Sequence, residues 1–433
     1  MRIEIVTENW QSALKNTFRS LQYRNYRLFF TGQSISLIGS WMQRIAMPWL
    51  VYDLTHSVFL LGIIGFASQI PTFLMAPFAG VLTDRWNRYH ILIITQILSM
   101  IQALILALLF FMGMIEVWHI ILLSIAFGLI NAFDMPSRQS FVVEMVGKKE
   151  DLGNAIALNS SIFNAARLVG PSLAGFIIAI ANEGVCFLIN GLSYIVVIGA
   201  LLKMEITPRK IEKKTTPMLK EIKEGFLYTF GFAPIKYVIM LIALIGLMGM
   251  SYTVLIPVFA KEILHGDSTT FGFLVGASGI GALSGAFYLA SRKSVLGLGK
   301  VIVFSTAIFG IGLILFSFSK IFILSLVLMV AVGLGMMLQM ASSNTILQTV
   351  ADDDKRGRVM SFYTMAFMGT APFGSLLLGA LANAWGATVA VGIAGVSCMV
   401  GSILFAYKFA EIKSAIRPIF IKLGILAEDR SGI

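Results

Sequence analysis

Twelve long apolar runs, separated by short polar segments, constrain this chain more than any other feature. A helix needs about 20 mainly apolar residues to cross the hydrocarbon core of a bilayer. The chain is 57% hydrophobic and only 13% charged, and a soluble fold could not bury that much apolar surface. The sequence therefore predicts an all-α integral membrane protein, with spans at 27–51, 58–82, 91–113, 118–137, 155–180, 184–203, 237–259, 270–291, 299–318, 321–345, 359–382 and 386–407.

The longest hydrophilic stretch lies between the sixth and seventh spans and divides the chain into two halves. Pro171 in the fifth span and Pro372 in the eleventh each lie in mid-helix beside glycine, which favours two pseudo-symmetric six-helix bundles. The predicted organisation is a cytoplasmic N-terminal tail at 1–26, a six-helix bundle at 27–203, a cytoplasmic linker with an amphipathic helix at 204–236, a second six-helix bundle at 237–407, and a partly disordered cytoplasmic tail at 408–433.

The basic residues set the predicted orientation. With a cytoplasmic N-terminus, all but four of the 33 Lys and Arg residues fall in cytoplasmic segments. The exceptions are Arg44 and Arg167 inside the membrane and Lys261 and Lys320 outside. The positive-inside rule therefore predicts that both termini are cytoplasmic. Because the basic residues alternate with apolar runs, they do not form a nucleic-acid patch.

Several classes of site are not expected. Cys186 and Cys398 lie in apolar runs, and the four histidines are scattered without metal-ligand spacing. The chain has no P-loop for ATP. A membrane-embedded enzyme would need convergent His, Asp, Glu or Cys residues at membrane depth, and the sequence shows none. We therefore predict no catalytic residue, metal or cofactor, and no enzymatic activity.

A short charged motif, GVLTDRWNRY, lies between the second and third spans. It resembles G-x-L-x-D-R-x-G-R-R, the loop signature of the major facilitator superfamily, although Asn87 and Tyr89 replace a glycine and a basic residue. In that family the motif's Asp closes the cytoplasmic side against the start of the eleventh span. Positive-inside anchoring is the alternative for the arginines, but it does not explain Asp84 or Gly80. The resemblance implies the major facilitator fold and a cytoplasmic gate formed by Gly80, Asp84, Arg85, Arg88, Arg356 and Arg358.

Polar residues inside the spans are the candidates for a substrate cavity. Arg167 lies near the bilayer midplane and shares a helix face with Asn164, which predicts a cationic wall that binds an anionic or oxygen-rich solute. The alternative is a structural arginine that pairs with helix-end carbonyls or with Asp134. The first span is unusually polar, and the C-terminal half has its own polar cluster. The predicted cavity residues are Gln33, Gln43, Arg44, Asn164, Arg167, Gln339 and Asn344.

Two acidic residues are candidates for proton coupling. Asp134 is the acidic residue deepest in the membrane, and Asp53 ends the first span. A carboxylate in a membrane suggests a proton relay. A local ion pair between Asp134 and Arg138, four residues later, is an equally weighted alternative.

The fifth span contains Gly170-Pro171-x-x-Ala174-Gly175, which resembles the GPxxGG motif of drug–proton antiporters with one glycine replaced. Proline removes a helix hydrogen bond, and glycine permits close helix approach. The predicted helix-kink residues are Gly170, Pro171, Gly175 and Pro372, with a simple packing kink as the alternative.

Four longer stretches extend the resemblance over nearly the whole chain: Tyr23 to Ser57, Asp134 to Val146, Asn154 to Gly175, and Arg356 to Gly379. They are similar to the bacterial exporter branch that contains enterobactin exporters and macrolide-efflux proteins. The resemblance implies a monomeric secondary transporter of the bacterial plasma (inner) membrane. It would export a small organic molecule, drug or siderophore-like, by alternating access coupled to proton influx. Its partners would be this substrate, protons and the lipid bilayer. A lipid or lysolipid flippase on the same fold is the alternative.

Overall fold

The computed structural model describes residues 18–205, 218–292, 294–352, 355–423 and 425–426. Within these ranges the chain is helical and contains no strand. The N-terminal half contributes six long helices: α1 (Arg24–Thr55), α2 (Val58–Arg85), α3 (Arg88–Phe111), α4 (Val117–Met145), α5 (Lys149–Ile180) and α6 (Glu183–Leu202).

The C-terminal half contributes six more. They are α7 (Ala233–Ile263), α8 (Ser268–Ser291), α9 (Leu298–Phe318), α10 (Phe322–Val350), α11 (Arg356–Trp385) and α12 (Ala387–Tyr407). Two of them are irregular. Helix α7 contains π-helical turns at Ile245–Gly249 and Phe259–Ile263. Helix α11 consists of two segments, and Pro372 lies in the first turn of the second, where a missing N–H costs little.

Eleven helices among the described residues are long and apolar enough to cross a membrane. Helix α1 is not one of them, although its 32 residues are sufficient in length. Its polar side chains, including Gln33, Gln43 and Arg44, lower its hydropathy. With α1 added, the helices match the twelve predicted spans, and the all-α membrane fold is confirmed.

The contacts between helices divide the chain into two units. Unit 1 contains the chain up to Met47 together with Leu74–Lys213, and unit 2 contains Pro48–Phe73 together with Lys214–Ile433. Unit 2 therefore includes the end of α1 and much of α2, which the sequence assigns to the N-terminal bundle.

A chain of buried amides joins four helices of unit 1. The Asn190 amide donates to Gln43 Oε1 at 2.8 Å, and Gln43 Nε2 donates to Gln102 Oε1 at 2.9 Å. Gln102 Nε2 then donates to the carbonyl oxygen of Leu123 at 3.3 Å. The three amide side chains are at most 3% exposed. Since water cannot replace these partners in the bundle, the chain fixes α6, α1, α3 and α4 against one another.

Glycine allows α5 to pack closely on α1. A Cβ atom added at Gly170 would lie 2.5 Å from the Trp41 Cβ and 3.1 Å from the Ile38 carbonyl oxygen. Pro171 and Gly175 follow within the same continuous helix. The close approach positions Trp41 at the cavity described below.

The start of α1 is fixed to the start of α5 by Asp151. This side chain accepts hydrogen bonds from the Tyr23 hydroxyl at 2.7 Å and the Gln22 amide at 3.1 Å, and it pairs with Arg19 at 3.0 Å. The hydrogen bond to Asp151 raises the pKa of Tyr23. A carboxylate in the first turn of a helix also interacts favourably with the helix dipole.

Two polar segments contain helix beyond the predicted spans. The motif between the second and third spans is mostly helical: α2 continues to Arg85, and only Trp86 and Asn87 precede α3. Asn87, which replaces the family's glycine, caps α3 by accepting from the Tyr89 amide at 3.0 Å. In the C-terminal tail, Phe409–Lys422 forms a helix whose Ile412 and Ile416 are buried, and the partial disorder of this tail stays a prediction. The linker contains the helix Met218–Gly231.

Candidate functional site

A polar cavity lies inside unit 1, among α1, α3, α4, α5 and α6. Its volume is about 50 Å³, which is room for a few water molecules or one small functional group. Its walls are formed by Gln33, Ser36, Leu37, Ser40, Trp41, Arg44, Gln96, Ser99, Phe127, Asn131, Asp134, Met135, Arg138, Phe163 and Tyr194.

Asp134 is the carboxylate of this cavity. Its side chain is 8% exposed, and one carboxylate oxygen accepts hydrogen bonds from Thr95 Oγ1 at 2.9 Å and Gln96 Nε2 at 2.7 Å. The other oxygen lies 3.6 Å from Arg138 Nε, one helical turn away. The local ion pair considered in the sequence analysis is therefore present, and α3 supplies two further donors.

Two glutamine side chains each leave one polar atom unused. Gln33 Oε1 accepts from Arg138 Nη1 at 3.2 Å, and Gln96 Nε2 donates to Asp134. The opposite atoms, Gln33 Nε2 and Gln96 Oε1, are buried and have no hydrogen-bond partner among the described residues. Buried polar atoms without partners are rare and costly. Both glutamines line the cavity, and each keeps one unpaired amide atom that neighbouring groups enclose.

Arg44 supplies a second cation to the cavity. Its guanidinium lies 5.2 Å from the centre of the Trp41 ring, and the Arg167 guanidinium lies 6.0 Å from the same ring. Arg44 is exposed, and it lines the cavity. With Arg44, Arg138 and Asp134 ionised, the charged groups of the wall sum to one positive charge. An oxyanion is the class of ligand that this charge and these donors favour.

The structure brings together three of the predicted cavity and proton-coupling residues, namely Gln33, Arg44 and Asp134. Arg167 is near them through Trp41, whereas Asn164 donates to the carbonyl oxygen of Ser160 on its own helix. Gln43 belongs to the buried amide chain rather than to the wall. In unit 2, Gln339 donates to Ser343 at 3.2 Å, and Asn344 accepts from Gln348 at 2.6 Å.

The predicted gate residues are described only in part. Gly80, Asp84 and Arg85 lie in α2, but their side-chain surroundings are outside the described part of the structure. Arg88 pairs with Glu144 at 2.9 Å in unit 1. In unit 2, Arg358 pairs with Glu224 at 2.9 Å, and Arg356 donates to the Gln348 carbonyl oxygen at 2.9 Å.

Asp53, the second candidate for proton coupling, lies in unit 2. Its carboxylate pairs with Lys261 at 2.5 Å and is about half exposed. Lys261 belongs to the π-helical turn of α7. Beside it, the Tyr52 hydroxyl donates to Glu262 at 3.3 Å, and the Trp49 ring stacks on Phe271 at 5.8 Å. Asp53 is thus part of a polar and aromatic contact between α1 and α7–α8.

Sequence reasoning missed the contributions of α3 and α6. Thr95, Gln96 and Ser99 line or support the cavity from α3, and Tyr194 lines it from α6. The signal for α3 was available, because Thr95, Ser99 and Gln102 are polar residues at helical spacing in an apolar span. Among the described residues, no group of three or more His, Cys, Asp or Glu residues could hold a metal ion.

Comparison with known proteins gives the family. The family model described as transmembrane secretion effector matches residues 15–418. The staphyloferrin A transporter of Staphylococcus aureus is 26% identical, covering 89% of this chain and 97% of its own length. The enterobactin exporter of Shigella boydii is 22% identical, covering 94% and 96%.

A solved structure gives the same fold. The crystal structure of a bacterial homologue of the human lysosomal transporter Spinster aligns with a TM-score of 0.68 at 14% identity, covering 92% of this chain and 98% of that one. The predicted resemblance to the exporter branch is confirmed by the family match and by the siderophore transporters that align over most of the chain. The chain belongs to the transmembrane secretion effector family, an exporter branch of the major facilitator superfamily.

Proposed function

We propose that this protein exports a small organic molecule, drug or siderophore-like, from the bacterial cytoplasm by alternating access. The observation that carries the proposal is the polar cavity inside unit 1, where Arg44, Arg138 and Asp134 surround a space among membrane helices. Ionisable residues at this depth are expensive and mark substrate or ion pathways. The relatives named above are transporters of siderophores. This similarity supports a small-molecule cargo and favours a transport role over an enzymatic one. We place the protein in the inner membrane as a monomer with both termini cytoplasmic.

We further propose that export is coupled to proton influx and that Asp134 binds the proton. Asp134 is buried among helices, and its charge holds Arg138 at 3.6 Å. Protonation would remove this attraction and leave Arg138 held by its hydrogen bond to Gln33 alone among the contacts described here, which gives the cavity a second arrangement. Asp53 is the weaker candidate, because it is about half exposed and already pairs with Lys261.

The cytoplasmic gate stays a prediction of the sequence. The gate requires Asp84 to act with Arg356 and Arg358 near the start of α11. The described partners of Arg88 and Arg358 are Glu144 and Glu224. We propose that these ion pairs are exchanged when the transporter changes conformation.

Transport into inside-out vesicles tests the function. At a fixed pH gradient, siderophores, macrolides, tetracyclines and lysolipids would be added in turn, and accumulation and proton release recorded. We expect one class to accumulate and to dissipate the gradient. Asp134→Asn should abolish gradient-driven accumulation but retain exchange of labelled cargo at equal pH. Glu411→Gln, at an exposed carboxylate of the C-terminal helix, is the matched control.

Two outcomes would contradict the proposal. If Asp134→Asn couples cargo to the gradient as well as the wild type does, Asp134 is not the proton site. If no cargo moves the gradient while lysolipid probes redistribute between leaflets, the protein is a flippase. Thermal unfolding of each purified variant separates these results from loss of the fold.

A further inference from the structure

Among the charged residues that line the unit 1 cavity, Arg44 differs because it has no ion-pair partner among the described residues. Arg138 and Asp134 pair with each other, whereas Arg44 makes no hydrogen bond or ion pair with any described residue. Its described contact is the face of Trp41. Arg44 lies 11 residues before the end of α1, about 16 Å along the axis, so it is well inside the membrane. An arginine at such a depth normally has a partner.

The two glutamines that each keep an unpaired amide atom line the same cavity. Gln33 and Gln96 are 2% and 4% exposed. Their hydrogen bonds to Arg138 and Asp134 fix which atom of each amide remains free. Gln33 Nε2 is a donor, and Gln96 Oε1 is an acceptor. Together with Arg44, these residues supply a cation, a neutral donor and an acceptor, and none of the three groups makes a hydrogen bond or ion pair with a described residue.

These three groups specify the chemistry of a ligand. A guanidinium and an amide N–H bind the oxygens of an anion. A free amide oxygen accepts from a hydroxyl. The ligand group is therefore an oxyanion with a hydroxyl beside it, as in a hydroxycarboxylate or a singly ionised catechol. The cavity of about 50 Å³ admits this group but not a whole siderophore or drug.

We propose that the cavity binds one oxyanion group of the cargo, with a neighbouring hydroxyl, through Arg44 and Gln33, while the rest of the molecule stays outside it. The inference rests on the proposed export and names the chemical class of its cargo. Arg138 remains with Asp134, so oxyanion binding does not require the ion pair to open.

Binding to the purified full-length protein tests the site directly. The probes are citrate and 2,3-dihydroxybenzoate, and they are compared with trimethyl citrate and methyl 2,3-dihydroxybenzoate. The readout is the affinity from calorimetry together with the shift in unfolding temperature. We expect the acids to bind more tightly than the esters. Arg44→Gln should weaken acid binding about tenfold or more and leave the esters unaffected. Arg44→Lys should retain part of the preference.

Arg27→Gln is the matched control, since Arg27 is an exposed arginine of the same helix outside the cavity wall. It should bind both acids as the wild type does. Arg44→Gln should also unfold at an equal or higher temperature when no probe is present, because it removes an uncompensated cation. Stabilisation by the acids should be lost in this variant. A merely structural Arg44 would give the opposite change in stability.

Three results would overturn the proposal. The first is that the acids and their esters bind with equal affinity. The second is that Arg44→Gln binds the acids as tightly as the wild type does. The third is that neither acid nor ester binds, which would mean that the cavity holds water only. The two acids separate an aliphatic from an aromatic hydroxycarboxylate, because each carries a carboxylate beside a hydroxyl. If export depends on Asp134 but is unchanged in Arg44→Gln, the proposed function stands and the oxyanion site fails. If acid binding depends on Arg44 but the protein exports nothing, the oxyanion site stands and the proposed export function fails.

Discussion

At the scale of single residues, burial decides which polar side chains serve structure and which serve the cavity. Gln43 and Arg44 are adjacent on α1 and were predicted to share one role. The structure separates them, because neighbouring helix positions point about 100° apart. Gln43 enters the amide chain with Gln102 and Asn190, while Arg44 lines the cavity. The sequence shows that both residues are unusual in a membrane span, but it cannot show which partners each one finds.

Gln43 is therefore expected to contribute to stability. Gln43→Leu would remove an acceptor for Asn190 and a donor for Gln102, and two buried amides would lose partners. The cost should be roughly 1–3 kcal/mol, measured by thermal unfolding in detergent. Gln139→Leu, at an exposed position of α4, is the control and should change stability little. Equal unfolding temperatures for the two variants would show that the amide chain does not support the fold.

At the scale of elements, close glycine contacts determine how helices approach one another. Gly170 brings α5 onto Trp41 in unit 1, and Gly62 of α2 meets Gly379 of α11 in unit 2. A Cβ at Gly62 would lie 2.7 Å from the Ser375 carbonyl oxygen. The sequence identified the Gly170–Pro171 motif but could not assign its partner helix. The packing role is now described, and a role in coupling stays a prediction.

Gly170→Ala should destabilise the protein and displace Trp41. The added methyl would overlap the Trp41 Cβ, and overpacking of this kind costs typically 1–3 kcal/mol. Gly199→Ala is the matched control, because it also lies in a unit 1 helix and its Cβ would meet nothing within 4 Å. That variant should be neutral or slightly stabilised. Unfolding temperatures of the pair provide the measurement, and a stable Gly170→Ala would show that α1 moves aside at no cost.

The contact between α1 and α7 gives a second expectation at this scale. Asp53→Lys and Lys261→Asp should each shift transport rates, and the double exchange should restore them, because the pair at 2.5 Å would form again with reversed polarity. The pair is exposed in part, so each shift should correspond to about 1 kcal/mol or less. Counterflow of cargo in vesicles is the measurement. Additive effects in the double variant would show that the pair does not act as a unit.

At the scale of the whole molecule, the spans and the fold could be predicted, but only part of the cavity could. Hydropathy and the distribution of basic residues are patterns over 20 or more residues, and both can be read from the sequence alone. The cavity depends on side chains from α1, α3, α4, α5 and α6 that meet only after packing. The helix Phe409–Lys422 was missed for a related reason, because its short apolar stripe at Ile412 and Ile416 gains stability from neighbours rather than from length.

An anionic cargo also changes the energetics of the entire cycle. An inside-negative potential of 100 mV favours the exit of each negative charge by about 2.3 kcal/mol, a factor of roughly 50. In inside-out vesicles with a lumen-positive potassium potential and equal pH, citrate should accumulate more as the potential rises. Its trimethyl ester should show a weaker dependence, because the coupled proton is then the one charge that crosses the membrane. Equal potential dependence for both would contradict an anionic cargo.

Proton and oxyanion binding must then be separated in time. A proton on Asp134 and an oxyanion at Arg44 would each lower the electrostatic cost of the other. Antiport therefore requires the oxyanion to leave before the proton binds. Proton uptake on addition of citrate to the purified protein in weak buffer would be the sign of simultaneous binding.

The small volume of the cavity has a consequence for inhibition and drug tolerance. A pocket that admits one functional group does not constrain the rest of the cargo molecule. Chemically unrelated compounds that carry the same group should therefore be exported through the same route. Cross-resistance would then follow the acidic head group rather than the compound class. The smallest competitive blocker could be a fragment such as glycolate, and potency would come from whatever is attached to it.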